Sequence, residues 1–484
     1  MPIITQVDLL KKRRTKIVAT VGPASCDPET IRELIMAGVN VFRLNMSHGD
    51  HDSHRAVFSH IRNISTGLDE PVAVLADLCG PKIRTGRFIE GEIMLERETQ
   101  VVVTTRDIPG EAGLIPSQYR SLADDVKHGD RILLNDGIME LRVEAVKGTE
   151  ITCRVLHGGV LRDHKGINLP GVRVSAPSLT DKDREDARFA LDLGVDYLAL
   201  SFVRQAADIK QLQGLIQEAG GKAAIIAKIE KTEALQQANA ILQAADGIMV
   251  ARGDLGVELQ PEEVPIAQSQ LITRARQKFK PVIVATQMLE SMIENSRPTR
   301  AEVTDISHAV SQGTDAVMLS AETATGAFPV EAVKIMDRIV RQTEAHLWKS
   351  NAYAAELQPQ QQTPTPIWDA TANAVNKMAY DLGVKAVMVM SHSGMSAATM
   401  VSARPAAPVV AITSDAGVCR RMALLWSVIP IHSEKAGSIN PNQLARQVAK
   451  DLGLAGDGEY ILLVRGFHRD IKMNSPTITA LTVH

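Results

Sequence analysis

Aromatic residues are scarce in this chain, at 3% of 484 residues. Platforms that stack single-stranded nucleic acid need more. Cysteine is also sparse: Cys26, Cys79, Cys153 and Cys419 lie far apart and form no CxxC pair. That argues against a disulfide framework or a zinc site and fits a reducing, cytoplasmic setting. An excess of one charge is missing too. The formal net charge is −3, which gives no general pull toward nucleic acid or an anionic membrane. The apolar stretch IVATVG, after the basic run KKRRTK (11–16), is too short for a signal peptide or a membrane span. The basic run itself reads as a solvated charge cluster.

What is present is a globular composition, 45% hydrophobic and 23% charged. The length predicts roughly two to four domains. Three stretches repeat one pattern: GVNVFRLN (38–45), GVDYLALS (194–201) and GTDAVMLS (313–320). Each follows a helical segment, and its Gly sits where a helix C-terminus wants a left-handed residue. An Asn or Asp, an apolar run and a polar residue follow. KIVATVG (16–22), VAVLADL (72–78), AIIAKIE (224–230), GIMVARGD (247–254) and PVIVATQM (281–288) bring the strands to eight. The runs are continuously apolar, as when both faces are covered. Amphipathic segments separate most of them, such as 232–243 with Leu235, Ala238, Ile241 and Leu242 on one stripe. Eight β/α units predict a parallel (β/α)8 barrel. A doubly wound sheet is the rival, weakened because no GxGxxG follows the first strand.

One connection is far too long for a barrel loop. Between Leu78 and Val195 the texture turns β-rich, with MLERETQVVVTT, RILLNDGIMELRVEAV and an Asn135-Asp136-Gly137 turn signal. We expect an inserted all-β lid domain over 80–177, between barrel parts 1–79 and 178–352. The Gln- and Pro-rich segment 353–366 reads as a linker. A C-terminal α/β domain, 367–484, carries KAVMVM, APVVAIT, SVIPI and YILLV.

Reactive groups in such barrels sit at the C-terminal strand ends. Here those ends carry Arg43, Asn45, Ser47 and His48; Asp77; Ser201; Lys228 and Glu230; Arg252 and Asp254; Thr286 and Gln287; Ser320 and Glu322. Glu230 and Asp254 are expected on adjacent strands, about 4.8 Å apart. Two hard oxygen ligands with room for water and substrate suit Mg²⁺ or Mn²⁺ better than zinc. Lys228 could stabilise a developing anion or a transferring phosphoryl group, and Arg43 and Arg84 could clamp phosphates. Each piece has a plainer reading alone: a structural Lys–Glu pair, an ordinary turn at Asn45–His48, a packed or capping His48. Together they favour a metal-assisted anion site.

RLNMSHG (43–49), GPKIRTG (80–86), AKIE (227–230), GIMVARGDLGVEL (247–259), ATQMLESMIENSRPTRAE (285–302) and DAVMLSAETATG (315–326) resemble pyruvate kinase, across essentially the whole chain. The resemblance implies phosphoryl transfer from phosphoenolpyruvate to ADP. It implies divalent-metal ligation by Glu230 and Asp254, transition-state stabilisation by Lys228, and a substrate site lined by Gly253 and Thr286. Arg43 and Arg84 would contact phosphates, Lys165 would approach the nucleotide, and Thr286 would relay a proton through water. It further implies a K⁺ site from Asn45, Ser47, Asp77 and the carbonyl of Leu78. K⁺-dependent relatives carry Thr-Lys after the Asp and Glu after the Pro, where this chain has Leu78, Cys79 and Lys82. Lys82 is therefore expected to do the electrostatic work of K⁺, leaving the ion unnecessary. Ser391, Ser393, Gly394 and Ser396 resemble a loop for a phosphorylated allosteric effector, and relatives form homotetramers. A mutase or aldol-type synthase using phosphoenolpyruvate would lack the inserted and C-terminal domains. A catalytically dead relative would be expected to have lost Lys228, Glu230 or Asp254.

Overall fold

The computed structural model describes residues 13–349, 365–405, 407–467 and 474–484. Linker residues 353–364 and the first two residues of the basic run lie outside them.

Eight strands close into a parallel barrel in chain order: Lys16–Val21, Val41–Asn45, Ala73–Asp77, Tyr197–Leu200, Ala224–Ile229, Gly247–Ala251, Val282–Ala285 and Ala316–Leu319. The last strand pairs with the first, with Lys16 opposite Ala316. Closure removes the edges that an open doubly wound sheet would keep.

The repeated Gly-x-Asn/Asp pattern has a structural reason. Gly38, Gly194 and Gly313 all have φ between 82° and 106°, as helix exits require. The Asn or Asp two residues on then ties down the start of the preceding strand. Asn40 N–H donates to the Ile17 carbonyl, and its side-chain oxygen accepts Ile17 N–H at 3.1 Å. Asp196 does the same to Val74, and Asp315 to Val282. Asp246, before the sixth strand, repeats it on Ile225. Each side chain thereby satisfies a backbone donor at the barrel's lower rim.

Side chains alternate between the barrel interior and the helix layer. Val18, Val41, Leu75, Tyr197, Ile226, Met249, Ile283 and Met318 form the buried interior. The same parity carried toward the strand ends places Thr20, Arg43, Asp77, Ser201 and Lys228 in the layer above.

The inserted segment forms a six-stranded sheet and a two-stranded one around its own core. Its strands Arg131–Leu134 and Met139–Lys147 pair antiparallel across the Asn135-Asp136-Gly137 turn, where all three residues have positive φ. The C-terminal domain is a five-stranded sheet with helices. Its fifth strand, Thr477–Thr482, runs antiparallel to Tyr460–Arg465 and was not among the strands expected there. This domain caps the lower end of the barrel. Leu424 is fully buried among the interior barrel residues, while Arg404 and Arg420 reach Asp315 and Asp196 at 3.0 and 2.9 Å.

Two local expectations fail. The segment 232–243 is two short helices, Thr232–Gln236 and Ala238–Ala244, broken at Gln237. The apolar stripe is kept, since Ala238, Ile241 and Leu242 are still buried. The sixth strand ends at Ala251, and Arg252–Glu258 is a helix. Asp254 therefore stands on a helical turn, not on a strand adjacent to Glu230.

Candidate active site

Lys228 lies at the centre of the polar end of the barrel. Its Nζ is 3.0 Å from Glu230 Oε1 and 3.3 Å from Asp77 Oδ1. It donates to Ser201 Oγ at 2.7 Å, and Ser201 in turn donates to the Leu78 carbonyl. Burial alone would drive this ammonium to release its proton. The carboxylates of Asp77 and Glu230 outweigh that and hold its pKa above the ordinary lysine value. Asp77 is 1% exposed. Burial pushes its carboxyl up, but Lys228 and Arg43 together bring it below the usual range. Arg43 Nε donates to Asp77 at 2.7 Å and Nη1 to Thr20 Oγ1 at 3.0 Å, so the guanidinium is tied to both neighbouring strands.

Glu230 behaves in the opposite way. Burial raises its pKa, Lys228 opposes that, and the nearby Asp254 charge raises it further. Phe202 N–H donates to its Oε2 at 2.7 Å. A buried carboxylate and a second, half-exposed one that repel across a cleft fit a divalent cation, which would relieve both. Among the described residues no group of three or more His, Cys, Asp or Glu side chains is placed to hold a metal. An ion held by Glu230 and Asp254 would complete its shell with water and substrate oxygens, as Mg²⁺ commonly does.

Thr286 supplies the opposite wall. Its Oγ1 accepts Gly253 N–H at 2.8 Å and donates to the Ala285 carbonyl at 2.6 Å. Its φ is +72°, and Gln287 follows at +54°. A β-branched residue in that region is strained, a condition that gathers at functional sites. Arg252 braces this turn, donating to the Thr286 carbonyl and to Asp305, both at 2.7 Å. Glu322 is fully buried and spends its oxygens on Leu289 N–H and Ser320 N–H; it shapes the backbone and does not enter the cluster.

On the lid side, Arg84 Nη1 donates to the His164 carbonyl at 3.1 Å, and Lys165 is bonded to Thr85 through its backbone. The two cations sit on adjacent lid segments. Lys82 is exposed and lines a narrow cleft with Phe202, Arg204, Lys231 and Asp254. Asn45 Oδ1 accepts Ser47 N–H at 3.2 Å. His48 is exposed, neither packed nor a cap; Asp50 caps the helix His51–Leu68. In the C-terminal domain the Ser391 hydroxyl is buried with no hydrogen-bond partner, and Gly394, φ +87°, precedes helix Met395–Ser402.

The sequence reading assigned no role to Phe202, Arg204, Lys231 or Thr20. Nor did it find the open cleft of about 440 Å³ beside the turn after Asn45 and the start of helix His51–Leu68. There Asp186 joins His51, at 2.8 Å, to Lys182, at 2.5 Å. The only sequence signal was the density of His and Asp in GDHDSH.

Comparison with known proteins gives one family. Residues 12–333 match the pyruvate kinase barrel domain model and residues 369–479 the pyruvate kinase alpha/beta domain model. Pyruvate kinase 2 of Synechocystis sp. is 45% identical over 459 residues, 94% of this chain and 76% of that protein. A pyruvate kinase of Agrobacterium vitis is 43% identical over 94% of each chain. The crystal structure of a pyruvate kinase from Cryptosporidium parvum superposes with a TM-score of 0.89 and 34% identity, covering 99% of this chain and 98% of that one. The chain, a phosphotransferase by these matches, belongs to the pyruvate kinase family.

Proposed function

We propose that the protein transfers the phosphoryl group of phosphoenolpyruvate to ADP through the cluster centred on Lys228. The observation that carries this reading is the lone ammonium of Lys228, held between Asp77 and Glu230 with Asp254 close by. Phosphoryl transfer needs positioning and charge neutralisation more than covalent help. Lys228 meets the charge that moves onto the transferring group and the departing enolate. Arg43, already fixed by Asp77 and Thr20, clamps the phosphate. Glu230 and Asp254 would hold the divalent ion, Mg²⁺ or Mn²⁺, whose chemistry when bound is Lewis-acid stabilisation of the enolate oxygen. Gly253 and Thr286 wall the substrate.

The bond from phosphorus to the enol oxygen breaks, and one to a terminal oxygen of ADP forms. The enolate then takes a proton on carbon, with the Thr286 hydroxyl ordering the water that delivers it. Arg84 and Lys165 face the nucleotide from the lid, residues 80–177. Lys82, exposed on the segment just after Leu78, takes over the electrostatic work of a K⁺ that the Asn45, Ser47, Asp77 and Leu78 oxygens would otherwise hold, since an ammonium and K⁺ about 4 Å apart repel by about 4 kcal/mol at an effective dielectric near 20. Ser391, Ser393, Gly394 and Ser396 receive a phosphorylated activator, a sugar phosphate or nucleoside monophosphate; the unpartnered Ser391 hydroxyl and the helix start support this. A cytoplasmic homotetramer is the assembly that family membership suggests.

The test is pyruvate release from phosphoenolpyruvate and ADP with Mg²⁺, followed by coupled NADH oxidation. No ADP-dependent pyruvate release sinks the reading.

A further inference from the structure

We propose that the turn Ser201–Arg204 couples both arms of the lid to the catalytic cluster, with Arg204 as its positioning residue. Ser201 and Phe202 each bridge the site and the outgoing lid connection, and Arg204 grips the returning one. Ser201 Oγ accepts from Lys228 and donates to the Leu78 carbonyl, where the outgoing arm begins. Phe202 gives its N–H to Glu230. It adopts φ +54°, a conformation a bulky residue rarely takes. Its ring lies against Gly80 of the outgoing arm so closely that a Cβ on Gly80 would come within 2.7 Å. Arg204 holds the returning arm. Its guanidinium donates to the carbonyls of Val174 and Ala176 and to Ser178 Oγ. Asp208 fixes the base of the turn, accepting Arg204 N–H at 2.9 Å.

The returning arm is tied equally firmly to the lid. Tyr119 OH donates to Asp125 and accepts Ala176 N–H, while Ser175 N–H donates to Asp125. A swing of the lid therefore pulls on Arg204. A pull on Arg204 shifts the Phe202 N–H that orients Glu230. Lid position and the geometry of the metal-facing carboxylate become one variable. Arg204 carries most of this link, because the five donors of a planar guanidinium span three acceptors along residues 174–178, while the Phe202 carbonyl adds one longer bond by accepting from Ser178 Oγ at 3.4 Å.

This inference rests on the assignment of Lys228 and Glu230 to the site, and its test reads out apart from turnover. The variants are Arg204→Gln and Arg204→Lys, compared with wild type by hydrogen exchange and by Mn²⁺ affinity from electron spin resonance. Arg204→Gln is expected to speed exchange in both arms, residues 78–85 and 172–178. It should weaken Mn²⁺ binding about tenfold, as loss of support behind a ligand does. It should also lower kcat at saturating metal about tenfold or more through misplacement, with Arg204→Lys recovering part of each loss. If Arg204→Gln does not fold, Arg204→Lys alone decides, because one ammonium cannot span the three acceptors. Faster exchange confined to 172–178, with Mn²⁺ affinity within about twofold of wild type, overturns the coupling and leaves Arg204 a local strut. A wild-type protein that releases no pyruvate while the exchange and Mn²⁺ effects persist overturns the reaction, not the coupling.

Discussion

Replacing Lys228 with Met keeps most of the apolar stem and removes the ammonium together with its hydrogen bond to Ser201, so its consequences can be worked out group by group. Asp77 retains Arg43 at 2.7 Å. Glu230 retains Phe202 N–H but loses the ammonium 3.0 Å away, and Asp254 still presses on it. One buried carboxylate is left without a cation, which costs about 3–5 kcal/mol if it stays ionised. The group escapes by binding a proton. Its folded pKa is already raised, and without Lys228 it rises further. The folded state then holds more protons than the unfolded chain between the two pKa values. Stability is full below the unfolded value and is lost as pH rises through the folded one. Lys228→Met should therefore match wild type most nearly in mild acid and fall behind progressively toward pH 8. Mg²⁺ should restore part of the difference. For turnover, loss of one preorganised charge where charge develops costs about a hundredfold or more. The checks are melting temperature against pH, with and without Mg²⁺, and kcat by coupled NADH oxidation. A folded mutant that keeps more than about a third of wild-type kcat would refute the role of Lys228, and a melting deficit independent of pH would refute the account of Glu230.

Three further outcomes follow from other parts of the molecule. In buffer free of sodium and potassium, KCl titrated against a tetramethylammonium control should change kcat little, and Lys82→Glu should acquire K⁺ dependence; a rise of about tenfold or more in wild type defeats the idea that Lys82 substitutes for K⁺. A panel of sugar phosphates and nucleoside monophosphates should contain an activator that shifts the phosphoenolpyruvate saturation curve, and Ser391→Ala should blunt it; an unmoved curve across the panel ends the effector reading. Asp315→Asn keeps an acceptor for Val282 N–H but leaves Arg404, 1% exposed, without its anion. A loss of about 3–5 kcal/mol is expected, seen as a lower melting temperature, and a change below about 1 kcal/mol would show that Arg404 is adequately held by the Gly313 carbonyl.

Much of this arrangement was written locally. A glycine exit, an Asn or Asp and an apolar run announce three of the eight barrel strands, because helix termination and strand burial depend on residues close together in the chain. Strand parity likewise decided that Arg43, Asp77, Ser201 and Lys228 share one interior layer once Val41, Leu75, Tyr197 and Ile226 fill the layer below. The turn at 135–137 was legible for the same reason, since left-handed backbone selects Asn, Asp and Gly. Other features needed the closed structure. Glu230 is two residues from Lys228, but Asp77 meets it only because the third and fifth strands flank the fourth, a relation no short window contains. Asp254 looked like a strand residue; the chain turns helical at Arg252, where Asp305 and the Thr286 carbonyl hold that side chain. The stripe at 232–243 predicted the buried face but not the break at Gln237. The fifth C-terminal strand, Thr477–Thr482, alternates half-heartedly in burial because it is a sheet edge. The second oxygens of Asp196 and Asp315 are committed to Arg420 and Arg404 of the C-terminal domain, so the sequence could mark them only as strand-start residues. Local periodicity sets which face a side chain takes; which partner waits on that face is decided by the packing of segments that meet only when the barrel closes.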